Sequence, residues 1–126
     1  MIEHSSLRNA ESLIRFGAEK LSSISNVPRL EAEVLLSNLL KINPMKFHTD
    51  DIGISSKIMD KFESMIESRF KGMPIAYLIG KKEFWSLDFE INSSVLVPRP
   101  ETELLIENAI ELLKDHESPS ILELGT

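Results

Sequence analysis

Apolar positions recur at helical spacing from residue 7 to residue 70, and then the period changes. Leu7, Ala10, Leu13, Ile14, Ala18 and Leu21 share one face of a predicted first helix, which Ser5 or Ser6 can cap. Asn26, Val27 and Pro28 interrupt that pattern and open a second helix, since proline is tolerated in a first turn whose N–H groups are unpaired anyway. Its stripe is Leu35, Leu36, Leu39 and Leu40, and Asn43-Pro44 stops it, leaving at most a short turn at Met45 to His48. A third helix begins at Ser55 or Ser56. It carries Ile58, Met59, Phe62, Met65, Ile66 and Phe70 on one side, and Gly72-Met73-Pro74 ends it.

Beyond this point alternation replaces helical spacing. Trp85, Leu87, Phe89 and Ile91 are apolar and the residues between them polar, which predicts a strand with one buried face. Asn92-Ser93-Ser94 is turn chemistry and Val95-Leu96-Val97 a second short strand, so a β-hairpin is expected. Pro98 and Pro100 end the pairing, because proline cannot donate to a ladder. Leu104, Leu105, Ala109, Leu112 and Leu113 restore helical spacing, with Glu101 and Glu103 at the positive end of the helix dipole and Lys114 at the other. After Ser118-Pro119, Ile121 to Leu124 reads as a buried strand leading into Gly125-Thr126. The expected fold is mainly α: a helical domain at 1–74, a hairpin linker at 75–100 and an incomplete α/β start at 101–126.

Composition narrows the function classes. With 42% hydrophobic and 27% charged residues the chain is globular in type, and no apolar run approaches the roughly 18 residues that span a bilayer. Met1 to Ser6 has neither a basic nor an apolar signal region, and without cysteine there is no disulfide or thiolate chemistry, so a cytoplasmic address with no membrane partner is expected. A net charge of −6 argues against direct nucleic-acid binding. The locally basic stretch Arg69, Lys71, Lys81 and Lys82 is either a solvated surface or a partner-facing edge. His4, His48 and His116 share no ligand spacing; His48 with Asp50 and Asp51 fits a capped turn better than a metal loop. Met59 and Met65 are expected in the helical core.

Two segments carry chemistry. Ile121-Leu122-Glu123-Leu124-Gly125 is how a strand enters a nucleotide-binding glycine loop, although any strand ending in glycine has the same form. Pro98-Arg99-Pro100 fixes an extended elbow that runs straight into a helix carrying Glu101 and Glu103. It either places Arg99 accurately or is a stiff linker with a surface Arg–Glu pair.

Three stretches together become recognisable: Arg69 to Gly80 (Arg-Phe-Lys-Gly-Met-Pro-Ile-Ala-Tyr-Leu-Ile-Gly), Glu83-Phe84-Trp85, and Val97-Pro98-Arg99-Pro100-Glu101-Thr102-Glu103. They resemble the HemK/PrmC family, which methylates the glutamine of the GGQ motif in bacterial peptide-chain release factors. Arg29 to Leu36, with Glu31-Ala32-Glu33 at its centre, looks like that family's second helix. A sister family acting on a ribosomal-protein glutamine shares part of the pattern but lacks the Pro100-to-Glu103 continuation. A stand-alone helical adaptor is the rival from another class.

The resemblance implies a helical domain that helps recognise the release factor, a hairpin, and a Rossmann-like domain that binds S-adenosylmethionine. It further implies cofactor contacts from Leu96, Arg99, Glu101, Thr102, Gly125 and Thr126. The family's Asn-Pro-Pro-Tyr motif, which holds the glutamine amide, does not occur here, and Asn43-Pro44-Met45-Lys46 does not match it. No catalytic residue is therefore assigned, and the chain as given is expected to be inactive.

Overall fold

The computed structural model describes residues 9–125. They form two compact units that divide between Gly80 and Lys81. The first is helical. Helix α1 (Ala10–Leu21) starts on Asn9, whose side chain accepts a hydrogen bond from the Ser12 amide at 2.9 Å. Asn9 is thus the cap of this helix; Ser5, Ser6 and Leu7 lie outside the described residues. The Ala10 amide also donates to the Ile52 carbonyl at 2.8 Å, which pins the start of α1 to the segment ahead of the third helix.

Helix α2 (Pro28–Leu40) has proline in its first turn and ends on Lys41 in the left-handed region, φ 58°. A 3-10 turn, Pro44–His48, follows, with the Asn43 side chain accepting from the Met45 amide at 2.9 Å. Helix α3 (Ser56–Phe70) is capped by Ser55, whose hydroxyl accepts from the Ile58 amide. Helix α4 (Ile75–Ile79) lies where the sequence suggested the hairpin linker begins; it stops on Gly80 at φ 84°, a conformation that favours glycine.

The core sits where α1, α2 and α3 meet. Leu13, Ile14, Leu21, Ala32, Leu35, Leu36 and Phe62 are fully enclosed, and Met59 and Ile66 nearly so. Leu39, Leu40, Met65, Ile75, Leu78 and Ile79 pack around them in part. Gly17, and not the expected Ala18, completes the inner face of α1.

The second unit begins with an antiparallel hairpin, β1 (Lys81–Phe84) and β2 (Leu87–Glu90), in which Lys81 faces Glu90 and Phe84 faces Leu87. The hairpin is therefore one segment earlier than the alternation suggested. Trp85 and Ser86, read as the start of a strand, are its two-residue turn, with φ 52° and 58°. Positive φ at both central residues is the geometry whose twist matches paired strands. Asn92 to Val95 does form a turn, closed by the Val95 amide donating to the Asn92 carbonyl and the Ser94 amide to Asn92 Oδ1. It does not connect paired strands: Val95 is a bend, and Leu96 and Val97 belong to no strand.

Helix α5 (Pro100–Leu113) follows the elbow and buries none of its residues. Its most shielded positions, Glu103, Ile106, Ala109 and Leu113, recur on one face, while Leu104, Leu105 and Leu112 are open. The strand expected at Ile121 to Leu124 is absent: Ile121 is 73% exposed and Leu122 and Leu124 are each 83% exposed. A strand exists only through a ladder partner, and none of the described residues supplies one to this segment. Among the described residues no helix is long and apolar enough to cross a membrane.

Candidate functional site

The recognisable motif segments of the two units behave differently. In the helical unit the segment from Arg69 onward is held by charge pairing. Arg69 Nε donates to Glu31 Oε1 at 2.6 Å, bridging α3 to the start of α2, and both side chains are largely shielded. The Ser25 hydroxyl donates to the other oxygen of Glu31. Arg69 is thus a strut between helices and is withdrawn from the basic edge that the sequence suggested.

A second knot joins the other two charged residues of α2, Arg29 and Glu33, to Glu11 of α1. Arg29 grips Glu11 with two hydrogen bonds, Nη1 to Oε1 at 3.1 Å and Nη2 to Oε2 at 2.9 Å, and its Nε donates to Glu33 Oε1 at 3.0 Å. Glu33 is 6% exposed, so this donor is what makes its burial tolerable. His48 Nε2 stands 3.4 Å from the same oxygen. Arg29 and Glu33 lie four residues apart on one helix, a local spacing at which such pairs form. Glu11 with Arg29 and Glu31 with Arg69 are 18 and 38 residues apart, and no local pattern announces them.

These pairs set an acid dependence. Burial pushes the Glu31 carboxyl up, but the hydrogen bonds from Arg69 and Ser25 and the Arg69 charge together outweigh it and hold the group below its ordinary value of 4.5. The Arg29 hydrogen bond likewise lowers Glu11 against the opposing effect of its desolvation. A carboxylate depressed in the folded state stabilises fully above its unfolded pKa and loses that contribution as pH falls through its folded pKa. The urea midpoint should therefore be flat above about pH 5.5 and fall with acid below about pH 4.5. Glu31→Gln should lower the neutral-pH midpoint and flatten the acid slope, with Glu11 supplying the remainder; an unchanged slope would remove Glu31 from this role.

Of the depressions on the described helical surface, two lie near these charged groups and the motif segment. One, of about 640 Å³, lies between α1 and α3 and is lined by Lys20, Asp60, Glu63 and Glu67 among others. Lys20 Nζ is 3.5 Å from Glu67 Oε2 and 4.7 Å from the Phe70 ring centre. Glu63 Oε1 is shielded from solvent and has no hydrogen-bond partner among the described residues. The other, of about 320 Å³, is bounded by Ser68, Lys71, Met73, Pro74 and Tyr77, all within or beside the motif segment.

In the second unit the elbow is exposed. Leu96 is 73% accessible, and Arg99, Glu101 and Thr102 are open as well. Arg99 precedes the first turn of α5 and makes no side-chain cap; the Thr102 amide donates to its carbonyl at 3.1 Å. The Trp85 amide donates to Glu103 Oε1 at 2.8 Å, tying the hairpin turn to the start of α5. Sequence reasoning named Glu103 as a dipole-favoured carboxylate, as part of the elbow's Arg–Glu reading and as the end of the Val97–Glu103 stretch, but not as a partner of Trp85. Gly125 has φ 79°, which favours glycine, and Thr126 lies outside the described residues. Leu96, Arg99, Glu101 and Thr102 thus lie exposed along one elbow segment. Among the described residues no group of three or more His, Asp or Glu side chains could hold a metal ion.

Comparison with known proteins gives a consistent result. The chain is 40% identical over 110 residues to the release factor glutamine methyltransferase of Coxiella burnetii (strain RSA 493 / Nine Mile phase I), covering 86% of this chain and 40% of that protein. It is 40% identical over 119 residues to the protein of the same name from Buchnera aphidicola subsp. Schizaphis graminum, covering 94% and 42%. Against that of Shewanella oneidensis it is 37% identical over 108 residues, covering 85% and 37%. The chain therefore spans about two fifths of the length of the curated relatives it matches. The family model described as the PrmC N-terminal domain matches residues 12–80, more than half of the chain and nearly the whole of the described helical unit, and the chain accordingly belongs to that family.

Proposed function

We propose that this chain is the N-terminal recognition portion of a methyltransferase that moves a methyl group from S-adenosylmethionine to the GGQ-motif glutamine of a peptide-chain release factor in the cytoplasm. One observation carries the reading: the similarity to proteins named release factor glutamine methyltransferase runs through both units, over 94% of the chain in one case. In this reading the helical unit contacts the release factor, and the shallow site beside Lys71, Met73 and Tyr77 is the part of it closest to the motif segment.

The elbow residues supply one wall of the cofactor site. Arg99 offers a cation to a carboxylate, Glu101 an anion to an ammonium group, Thr102 a hydroxyl, and Leu96 an apolar contact, a complement that suits the charged and apolar parts of a zwitterionic sulfonium ligand. Their exposure means that this wall does not by itself enclose a ligand, and enclosure is what supplies affinity.

The amide nitrogen of glutamine is a poor nucleophile because its lone pair is delocalised into the carbonyl. Transfer depends on acceptors that hold the amide hydrogens and aim the lone pair at the methyl group. The sequence has no Asn-Pro-Pro-Tyr to do this, and Asn43 of its Asn-Pro pair is engaged in capping the 3-10 turn. The 126-residue chain should therefore leave a release factor unlabelled when incubated with methyl-labelled S-adenosylmethionine. A protein that carries this chain together with a complete cofactor domain should label the GGQ glutamine. Labelling of a ribosomal protein in place of the release factor, or transfer by the short chain at an enzyme-like rate, would overturn the assignment.

A further inference from the structure

The Trp85–Ser86 turn holds two non-glycine residues in the left-handed region, at φ 52° and 58°. Two-residue turns of this kind are normally made by Asn-Gly or Gly-Gly, because a Cβ there is strained by about 1 kcal/mol or more per residue. Such a conformation persists where surrounding contacts fix it. One such contact is explicit: the Trp85 amide points at the Glu103 carboxylate, 2.8 Å away and 18 residues on in sequence. Hydrogen bonds to a charged acceptor are about twice as strong as neutral ones.

The other end of this bond sits one turn into α5. Glu103 belongs to the shielded face of that helix, with Ile106, Ala109 and Leu113, whereas Glu101 and Thr102 beside it are open. Between the two anchor points runs the elbow, Pro98-Arg99-Pro100, with φ of both prolines fixed by their rings. The clasp therefore closes a loop of chain from the hairpin turn to α5, and the elbow residues are the rigid part of it.

We infer that Glu103 is a positioning residue. By accepting from the Trp85 amide, it sets the orientation of Arg99, Glu101 and Thr102 relative to the hairpin. This rests on the proposed reading of those three residues as a cofactor wall, to which Glu103 contributes no ligand contact of its own. The chemistry of the arrangement is economical. A site built on a loop needs support from a neighbouring element to hold side chains within fractions of an ångström, and the bond supplies it at the point where the loop becomes helix.

The test uses the 126-residue chain and requires no ligand. Amide exchange and backbone order parameters are measured for the parent, Glu103→Ala and Glu103→Gln. In Glu103→Ala the Trp85 amide should exchange about tenfold faster or more, the scale set by losing a charge-assisted hydrogen bond, and the resonances of Arg99, Glu101 and Thr102 should shift and lose order. Glu103→Gln keeps an acceptor oxygen at the same reach, so it should restore the elbow and most of the Trp85 protection. If Glu103→Ala frees the Trp85 amide while Arg99 to Thr102 stay unchanged, the bond merely fastens the turn and the inference falls. It falls equally if Trp85 exchange does not move, or if Glu103→Gln behaves as Glu103→Ala does. Titration of a longer protein with S-adenosylmethionine tests the cofactor reading separately: perturbation absent from Arg99 to Thr102 would remove that reading while leaving the mechanical result standing.

Discussion

Gly17→Leu should lower the urea midpoint of the helical unit more than either Gly17→Ala or Glu31→Gln does. Glycine inside a helix costs about 1 kcal/mol relative to alanine, so its presence in the middle of α1 requires a packing reason. That reason is contact from three sides. A Cβ at position 17 would stand 2.9 Å from Ile66 Cδ1, 2.9 Å from Phe62 Cζ and 3.1 Å from Ala32 Cβ. Here α2 and α3 both reach the backbone of α1, and Phe62 and Ala32 are fully enclosed. A single methyl could be met by small shifts of the Ile66 methyl and the Phe62 ring tip. Gly17→Ala should therefore show a modest net change, because the gain in helix propensity offsets part of the crowding. Leucine adds three further carbons and must separate the helices. Overpacking of that kind costs about 3 kcal/mol or more, a large share of the about 5–15 kcal/mol available to a whole domain. Urea titration followed by far-ultraviolet circular dichroism reads this directly. A Gly17→Leu midpoint within error of the parent would show that the three helices do not meet at this glycine.

Helices α1, α2, α3 and α5 were legible because each carries its own signals, whereas the short α4 lies in the segment read as hairpin linker. Apolar stripes at Leu13/Ile14, Leu35/Leu36 and Phe62/Ile66, proline at Pro28 and serine at Ser55 all act within a few residues, and all sit where periodicity placed them. What went unread depends on partners distant in sequence. Gly17 lies beside Ala18 in a pattern that favours either, and only the approach of Phe62 and Ile66 decides between them. The hairpin was expected one segment late because alternation at Trp85, Leu87, Phe89 and Ile91 looks the same whether Trp85 begins a strand or turns a corner. The decision came from the pairing of Lys81–Phe84 with Leu87–Glu90, two charged-rich stretches with weak strand propensity. The apolar run at Ile121 to Leu124 has a strand's composition, yet a strand is a relation between segments, and the run stands exposed. The candidate site divides in the same way. The elbow was legible from Pro98-Arg99-Pro100 alone. The Glu103 bond to Trp85 was not, since neither residue type announces the other across 18 positions.

Hydrogen exchange should separate the two units by orders of magnitude. Amides of α1, α2 and α3 close around side chains that solvent does not reach, among them Leu13, Leu35 and Phe62. Their exchange requires the core to open, so it reports the stability of the whole helical unit. Helix α5 has no such requirement. None of its 14 residues is buried, and a helix of that length without tertiary packing is marginal in water. Beyond the first turn, which the Trp85–Glu103 bond ties down, its hydrogen bonds open by local fraying, and the amides of its later turns should exchange close to the rate of an unstructured chain. In a dilute monomeric sample the amides of Leu13, Leu35 and Phe62 should be protected about a thousandfold or more relative to those of Leu105 and Leu112, the ratio expected when global opening costs about 4 kcal/mol or more and local opening almost nothing. The open apolar face of α5 adds a second, distinguishable behaviour. Leu104, Leu105 and Leu112 are 60%, 66% and 76% exposed, and a row of this kind favours association at high concentration. Protection of α5 that rises with concentration, while that of α1 to α3 stays constant, would identify self-association as its source. Equal protection of all the helices in the dilute monomer would show instead that α5 shares the stability of the helical core, and that the proposed independence of the helical domain is wrong.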